Sequence, residues 1–407
     1  MSDLVLSKGG EGGSKPRVSL VVATFNRRPL LERLLRQLEG QTLPHAQFEV
    51  VVVDDGSEES VAPGLDTLEL TYALRVLRQK NSGVAKARHH GVLQARGDIL
   101  VIVDDDMQVP PEFLKAHLDA HAARPEPTVV LGRIRPDEGL AKMPVFERFH
   151  AASLEKWASS VKSGALKAVG NNLCTGNVSM RREDYLAVGG FDPTLERSED
   201  AELGLRLEKR GVRLEFAEEP YTIHSSDHTQ LKKWLGRCYR YGLYELRIAK
   251  KHPDVLHADP WRYLFSLHPV LRPVMALSVV GPKVSAPLAQ GLIRAAMAAD
   301  KVGLERVAVR ATMVTYGMEY FRGIRAEAGS MTGAVQSLQE FLQKAGAAGE
   351  VAAAGAGAAG VPRSMAAASN LAAAVQADLS VRREYEDKYG YQGEKGGSLP
   401  KELVQKI

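Results

Sequence analysis

The chain has 407 residues, of which 44% are hydrophobic and 25% are charged, and its formal net charge is +4. This length can hold more than one domain, and the composition is typical of globular proteins. So small a charge does not indicate a protein that binds nucleic acid along its surface, so we expect no nucleic-acid partner. The two cysteines, Cys174 and Cys238, imply no disulfide framework and fit a reducing cytoplasm.

The first 16 residues are polar and rich in glycine, which predicts a flexible lead. They lack the apolar centre of a signal peptide. Elsewhere no apolar run reaches the roughly 18 residues needed to span a bilayer. The nearest candidate, residues 273–293, is interrupted by Lys283 and by three prolines. It is either a buried segment or an interfacial one, and both interpretations stay open.

From residue 17 onward, apolar runs rich in β-branched residues alternate with segments that carry leucine or alanine at helical spacing. Continuous apolar runs are typical of buried parallel strands, and the alternation predicts an α/β protein with a mostly parallel sheet between helices. The predicted elements are strand 18–24, helix 28–40, strand 48–57 with its terminal turn, strand 74–79, helix 82–97, strand 98–103, helix 110–123 and strand 128–134.

The second half of the chain becomes helical. Residues 140–170 are expected to be mainly helical, residues 197–211 form a helix that ends at Gly211, and residues 212–224 form a final pair of strands. From residue 229 the sequence is helical and basic. We expect a flexible lead 1–16, an α/β domain 17–226, a helical domain 227–343, an Ala/Gly-rich linker 344–370 and a charged tail 371–407.

Acidic or polar residues end three of the predicted strands. The strand that begins at residue 18 ends in Thr24-Phe25-Asn26, the next ends in Asp54-Asp55, and the strand 98–103 is followed by Asp104, Asp105 and Asp106. Ligands of parallel sheets bind beyond the carboxyl ends of the strands, so these groups are expected to meet. The segment after the first strand lacks the glycine fingerprint of dinucleotide-binding proteins. Acids in place of a glycine loop indicate phosphates held through a divalent metal.

Successive residues of an extended chain point in opposite directions. Asp104 and Asp106 are therefore expected to share one side of the chain, where they can hold Mg²⁺ or Mn²⁺, and Asp105 is expected on the other side. A solvated acidic turn is the alternative interpretation of an isolated triplet.

Five segments together resemble glycosyltransferase family 2, whose fold is called GT-A. The resemblance covers residues 17–226, a little over half of the chain. The segments are VSLVVATFNR, VVVDDGS, NSGVAKARHHGVLQARGDILVIVDDDM, GNVSMRREDYLAVGGFD and SEDAELGLRLEKRG.

The resemblance implies a GT-A domain followed by a helical domain, and transfer of a sugar from a nucleotide-sugar with inversion at the anomeric carbon. It implies a divalent metal, Mn²⁺ or Mg²⁺, on the Asp-x-Asp motif. The implied roles are nucleobase and ribose binding by Thr24, Asn26, Asp54 and Asp55; nucleotide binding by Asn81, Lys86, Arg88, Asp104 and Asp105; metal binding by Asp104, Asp106 and His224; general base for Asp200; and assistance or acceptor contact for Glu199.

The chemistry explains these roles. A hydroxyl is a poor nucleophile, and a carboxylate that takes its proton contributes roughly 10² to 10⁴ in rate. The departing nucleoside diphosphate gains negative charge, which a metal and cationic side chains stabilise. Asp200 lies near the start of a predicted helix, whose dipole favours a carboxylate. One departure from the family pattern is His89, which stands where asparagine is usual.

The expected partners are a nucleotide-sugar, UDP-linked by default, and a hydroxyl acceptor that is lipid-linked or a saccharide. We expect a cytoplasmic location, with peripheral contact at the inner face of the membrane through 229–251 and 273–293 as an open alternative. Two rival functions also stay open: a sugar nucleotidyltransferase and a non-catalytic scaffold that binds a nucleotide-sugar.

Overall fold

The computed structural model describes residues 3–10, 15–226 and 229–347. Most of the predicted linker and the whole predicted tail lie outside the described residues. Nine strands form one sheet. They are β1 (Asp3–Lys8), β2 (Val18–Thr24), β3 (Phe48–Asp54), β4 (Ala73–Arg78), β5 (Ile99–Asp104), β6 (Met107–Gln108), β7 (Thr128–Pro136), β8 (Asn177–Arg181) and β9 (Arg213–His224).

The strand order is β1-β4-β3-β2-β5-β8-β7-β9-β6. The central strands β4, β3, β2 and β5 are parallel, as is the pair β7 and β9. The other neighbouring pairs are antiparallel. The predicted mixed sheet with flanking helices is confirmed, but parallel pairs make up half of the neighbouring pairs in the described residues and not most of them.

Helices cover the sheet and continue beyond it. Seven precede the end of the sheet: α1 (Arg28–Glu39), α2 (Ala62–Asp66), α3 (Val84–Gln94), α4 (Phe113–Ala122), α5 (Val145–Lys162), α6 (Arg182–Ala187) and α7 (Glu199–Lys209). Six follow it within residues 229–347: α8 (Leu231–Lys251), α9 (Arg262–Ser266), α10 (Arg272–Val280), α11 (Pro282–Lys301), α12 (Glu305–Glu327) and α13 (Met331–Ala347).

The central strands are buried because helices pack on both faces of the sheet. Every residue of β3 is buried, as its continuous apolar sequence predicts. Gly91 lets α3 approach the sheet closely, since a Cβ there would lie 2.6 Å from Cγ1 of Val21. The register places Thr24 beside Asp54, and Ala23 beside Asp104, so the polar strand ends line one edge of the sheet.

Three sequence predictions were wrong in detail. Residues 3–8 of the predicted flexible lead form β1, which pairs with β4. Lys8 Nζ also donates a hydrogen bond to the carbonyl oxygen of Asp66 at 2.7 Å. The predicted final pair of strands is the single strand β9, which stays continuous across an irregularity in its pairing with β7. The predicted linker begins too early, because α13 continues to Ala347.

The helices after residue 229 enclose a second apolar core rich in aromatic residues. Trp234 and Cys238 of α8 are buried in it. Tyr263 stacks on Phe321 with ring centroids 5.5 Å apart. Both cysteines are free. Among the described residues, no helix is both long enough and apolar enough to cross a membrane.

Candidate active site

Asp54 and Asp55 shape the loops at the ends of β3 and β4. The carboxylate of Asp54 accepts a hydrogen bond from the backbone N–H of Ser57 at 2.8 Å. Asp55 accepts from the backbone N–H groups of Ser82 and Gly83, both at 2.9 Å. Both carboxylates are buried. Asp54 thus organises the loop that follows β3, and Asp55 organises the loop that leads into α3.

Asn26 connects the end of β2 to the loop that follows β3. It adopts a left-handed backbone conformation with φ of 56°, which asparagine tolerates better than most residues. Its side-chain oxygen accepts from the backbone N–H of Glu58 at 2.8 Å. Asn81 and Lys86, which were predicted to line the nucleotide, lie exposed beside the loop that leads into α3 and outside the acidic cavity described below.

The three aspartates after β5 divide as the alternation predicts. Asp104 and Asp106 line a cavity of about 180 Å³, whereas Asp105 turns away from it. Asp105 accepts from the hydroxyl of Thr24 at 2.7 Å and pairs with Arg27 at 3.2 Å. Burial and the neighbouring charge of Asp106 raise the pKa of Asp105 to about 7. Thr24 and Asp105 thus form a buried contact beneath the site.

The carboxylate of Asp106 is contacted by two basic side chains, Arg27 and His224. Burial opposes its ionisation, but contacts with His224 and with Arg27, 2.8 Å away, hold its pKa well below the usual range. Burial likewise opposes the charge of His224, yet Asp106 at 3.7 Å raises its pKa. Oxygen Oδ1 of Asp106 is buried and accepts no hydrogen bond from the described residues. An ionised carboxylate with one oxygen available therefore faces the cavity.

Arg88 links the acidic triplet to the second predicted motif. Its buried guanidinium donates to Glu199 Oε1 at 2.7 Å through Nη1 and contacts Asp104 Oδ1 through Nη2. Strand β5 and helix α7 are thereby connected through one side chain of α3. The predicted metal-binding and base motifs, which are about 95 residues apart in the sequence, meet at this arginine.

Asp200 lies on the same cavity at the start of α7. Thr175 donates to its Oδ2 at 3.2 Å, and its Oδ1 accepts from the backbone N–H of Ala201 at 2.8 Å. Helix α7 packs closely on the turn at Gly170–Asn172, because a Cβ on Gly204 would lie 1.9 Å from the carbonyl oxygen of Gly170. This packing fixes the position of the carboxylate.

A second, basic cavity of about 570 Å³ adjoins the acidic one. The two share Arg197 and Arg237 as lining residues. Sequence reasoning did not single out Arg27 or Arg197, and it treated Arg237 only as part of a basic helix. The position of Arg27 directly after the first strand could have indicated a binding role, because ligands bind beyond the carboxyl ends of the strands. The cations that line the basic cavity are Arg27, Arg197, Lys233, Arg237 and Arg240.

The residues present fit a divalent metal held jointly with a substrate. No group of three or more His, Cys, Asp or Glu side chains within the described residues is arranged to hold a metal alone. Mg²⁺ is commonly bound by one or two carboxylates together with substrate phosphates. Asp106, with its available oxygen, and the partly exposed Asp104 provide that donor set, and His224 lies beside it.

A mixed α/β sheet that carries carboxylates at its strand ends, next to arginine-lined cavities, is the architecture of a phosphate-handling enzyme domain. Residues 19–188 match the model of glycosyl transferase family 2. The matched segment, which is less than half of the chain, is similar to this family.

Two curated relatives illustrate the relationship. Validoxylamine A glucosyltransferase of Streptomyces hygroscopicus subsp. jinggangensis (strain 5008) is 29% identical over 274 residues, which cover 60% of this chain and 63% of that protein. Pre-mycofactocin glycosyltransferase of Mycobacterium tuberculosis (strain ATCC 25618 / H37Rv) is 30% identical over 249 residues, 60% of this chain and 50% of that protein. The chain thus spans between half and two thirds of the length of these relatives.

Among solved structures, the mannosyltransferase PcManGT from Pyrobaculum calidifontis in complex with GDP-Man and Mn²⁺ aligns with 80% of this chain and 88% of its own. The sequences are 19% identical, and the TM-score is 0.48. A likeness at this level carries no assignment of substrate or metal.

Proposed function

We propose that this protein is a metal-dependent inverting glycosyltransferase that moves a sugar from a nucleoside-diphosphate-sugar to an acceptor hydroxyl. The observation that carries the proposal is the convergence of Asp104, Asp106 and Asp200 on one cavity, next to a basic cavity. The similarity of residues 19–188 to glycosyl transferase family 2 supports the same reaction class.

The sugar-nucleotide donor would span the two cavities. Its diphosphate is the group that matches Arg27, Arg197 and Arg237, because arginine binds phosphate oxygens through paired N–H groups. Its nucleoside would lie over the loops that Asn26 and Asp55 organise. A bound Mn²⁺ or Mg²⁺ on Asp104 and Asp106 would supply charge neutralisation for the diphosphate. UDP-sugars are the first donors to test.

The acceptor would enter beside Asp200. The acceptor oxygen forms a bond to the anomeric carbon from the side opposite the diphosphate, and its proton passes to the carboxylate of Asp200. The bond from the anomeric carbon to the diphosphate breaks, and its electron pair leaves with the nucleoside diphosphate. The arginines stabilise this developing charge. Glu199, paired with Arg88, holds the start of α7 in place.

Hydrolysis of the donor provides the test. UDP-, GDP- and dTDP-sugars are each incubated with Mn²⁺, Mg²⁺ or EDTA, and release of nucleoside diphosphate is measured. We expect release from one donor class and its loss with EDTA. Asp106→Asn should reduce both metal-dependent donor binding and release at least 100-fold. Asp200→Asn should retain donor binding and lose turnover by roughly 10² to 10⁴.

The surface variant Asp119→Asn is the matched control, since that carboxylate is exposed on α4 and pairs only with Lys115 within the described residues. It should behave as the unaltered protein. Release of pyrophosphate from a nucleoside triphosphate supplied with a sugar 1-phosphate, together with no nucleoside diphosphate released from any donor, would favour the nucleotidyltransferase. Tight donor binding without turnover, even with a panel of hydroxyl acceptors, would favour a non-catalytic binding protein.

A further inference from the structure

Helices α10 and α11 present large apolar side chains to solvent on their outer surface. Leu277 and Val280 of α10 are 36% and 62% exposed, and Val284 and Leu288 of α11 are 57% and 51% exposed. These four residues follow one another at intervals of three or four across the single residue that separates the helices. Within each helix that spacing places the two side chains on one side. The two pairs adjoin at Gly281, where an added Cβ would lie 3.6 Å from Leu277 and 4.0 Å from Val284. We call this surface the α10–α11 face.

A row of cations flanks the apolar side chains of α11. Lys283, Arg294 and Lys301 are all exposed. At 3.6 residues per turn, positions 11 and 18 residues apart differ by no more than about 20° around the helix, so the three lie on one line roughly 27 Å long. Among the described residues, none of the three has an ion-pair or hydrogen-bond partner through its side chain. The charge of this row is therefore available to a partner.

The acids nearest to this row in the sequence are paired with another helix. The segment from residue 270 to residue 310 contains six Lys or Arg residues and only two acids, Asp300 and Glu305. Both acids pair with Arg148 of α5, the second at 2.7 Å, so their charges are directed at the protein's own arginine. The outer surface of α11 thus combines exposed apolar side chains with unbalanced positive charge.

We propose that the α10–α11 face is a docking surface for an anionic lipid bilayer. An amphipathic helix lies on a membrane through two features. Its apolar side chains enter the boundary of the acyl chains, and its Lys and Arg side chains lie near the headgroups. Acidic lipid headgroups complement the row of cations, and shallow insertion covers the exposed valines and leucines. The surface is distinct from the two cavities of the proposed active site, because none of its residues lines either cavity.

The structure favours this face over the basic helix α8. Arg237 of α8 pairs with Glu147, Arg247 and Lys250 both pair with Glu327, and Lys251 pairs with Asp192 and Glu202. These four cations of α8 are therefore paired with acids of the protein itself. Of the two segments expected to contact a membrane, the proposal keeps 273–293 and leaves out 229–251.

Vesicle binding by the full chain tests the proposal. Flotation is measured with phosphatidylcholine vesicles that contain or lack 30% phosphatidylglycerol, at low and high salt. We expect salt-sensitive binding only to the anionic vesicles. The variant Lys283→Gln/Arg294→Gln/Lys301→Gln should bind roughly 100-fold more weakly, since each cation near an anionic surface contributes about fivefold. The variant Val284→Ser/Leu288→Ser should lose at least tenfold through reduced insertion.

The matched control removes three surface cations from the sheet domain, Arg17→Gln/Arg36→Gln/Lys115→Gln, and should bind as the unaltered protein. Thermal unfolding and donor hydrolysis should be unchanged in all three variants, because none of these residues lies in the cavities. Equal binding by the charge variant and the control would overturn the proposal, as would the absence of binding to anionic vesicles. Sedimentation velocity in solution adds the last criterion. A stable dimer that dissociates in Val284→Ser/Leu288→Ser would assign the face to a second copy of the chain and refute the bilayer.

Discussion

The ion pair between Arg88 and Glu199 gives the sharpest test of how the site is held together. The two side chains are each 6% exposed, and their charged atoms lie 2.7 Å apart. Removing one member of a buried pair leaves the other charge without compensation, which typically costs about 3–5 kcal/mol. Arg88→Met keeps much of the side-chain volume and should lower the free energy of unfolding by about 3 kcal/mol. The lower value is expected because Asp104, the second partner, is 35% exposed and retains hydration.

A double-mutant cycle isolates the interaction. Glu199→Gln should cost about 2 kcal/mol, and the double variant should cost at least about 1 kcal/mol less than the sum of the single variants. Urea unfolding, followed by tryptophan fluorescence and circular dichroism, measures the four proteins. The exposed pair Lys115 and Asp119 serves as the control cycle, with an expected coupling of no more than about 0.5 kcal/mol. Additivity of Arg88→Met and Glu199→Gln within about 0.5 kcal/mol would refute the reasoning.

Three further predictions follow from the site. The pKa of Asp105 is about 7 in the folded protein and 3.8 ordinarily, so the folded state keeps a proton that the unfolded state has released. Stability should therefore fall as pH rises from about 4 to 7, by up to roughly 1.4 kcal/mol per pH unit. Asp105→Asn should remove that component in urea unfolding at several pH values, and an unchanged slope would contradict the assignment. Gly204→Ala should lower the unfolding free energy by about 1–3 kcal/mol, because its Cβ would overlap the carbonyl of Gly170; a midpoint equal to that of the unaltered protein would disprove the contact. Thr175→Val removes a hydrogen bond to Asp200 and should lower kcat roughly tenfold with donor KM unchanged; a rise in KM alone would show that the threonine serves donor binding instead.

Local sequence patterns predicted the central strands and the directions in which the three aspartates point. The strand VSLVVAT and the apolar run before Asp54 are buried on both faces, so continuous β-branched residues indicate them without ambiguity. The alternation of Asp104, Asp105 and Asp106 follows from the geometry of an extended chain, and Asp104 and Asp106 do share the cavity. These features depend only on residues that are close together in the sequence, so one sequence is enough to predict them.

Features that depend on contacts between residues far apart in the sequence could not be predicted from the sequence. Strand β1 is recognised only through its pairing with β4, and glycine-rich flanks made it look like a flexible lead. The roles of Arg27 and Arg88 arise because folding brings carboxylates from β5 and α7 to them. The separation of paired cations on α8 from unbalanced ones on α11 likewise needs the tertiary structure, since both helices are simply basic in sequence.

The pairing of β1 with β4 has a practical consequence for handling the protein. Strand β1 covers the backbone of β4, which would otherwise be the outer strand of the sheet. Uncovered edge strands offer unpaired N–H and C=O groups to other chains and promote aggregation. Trimming the molecule to the boundary that sequence similarity suggests, near residue 17, would remove this cover. Such a fragment should keep the residues of the proposed active site but expose the central-sheet strand β4 and aggregate more readily, so preparations for crystallisation or kinetics should retain residues 3–8.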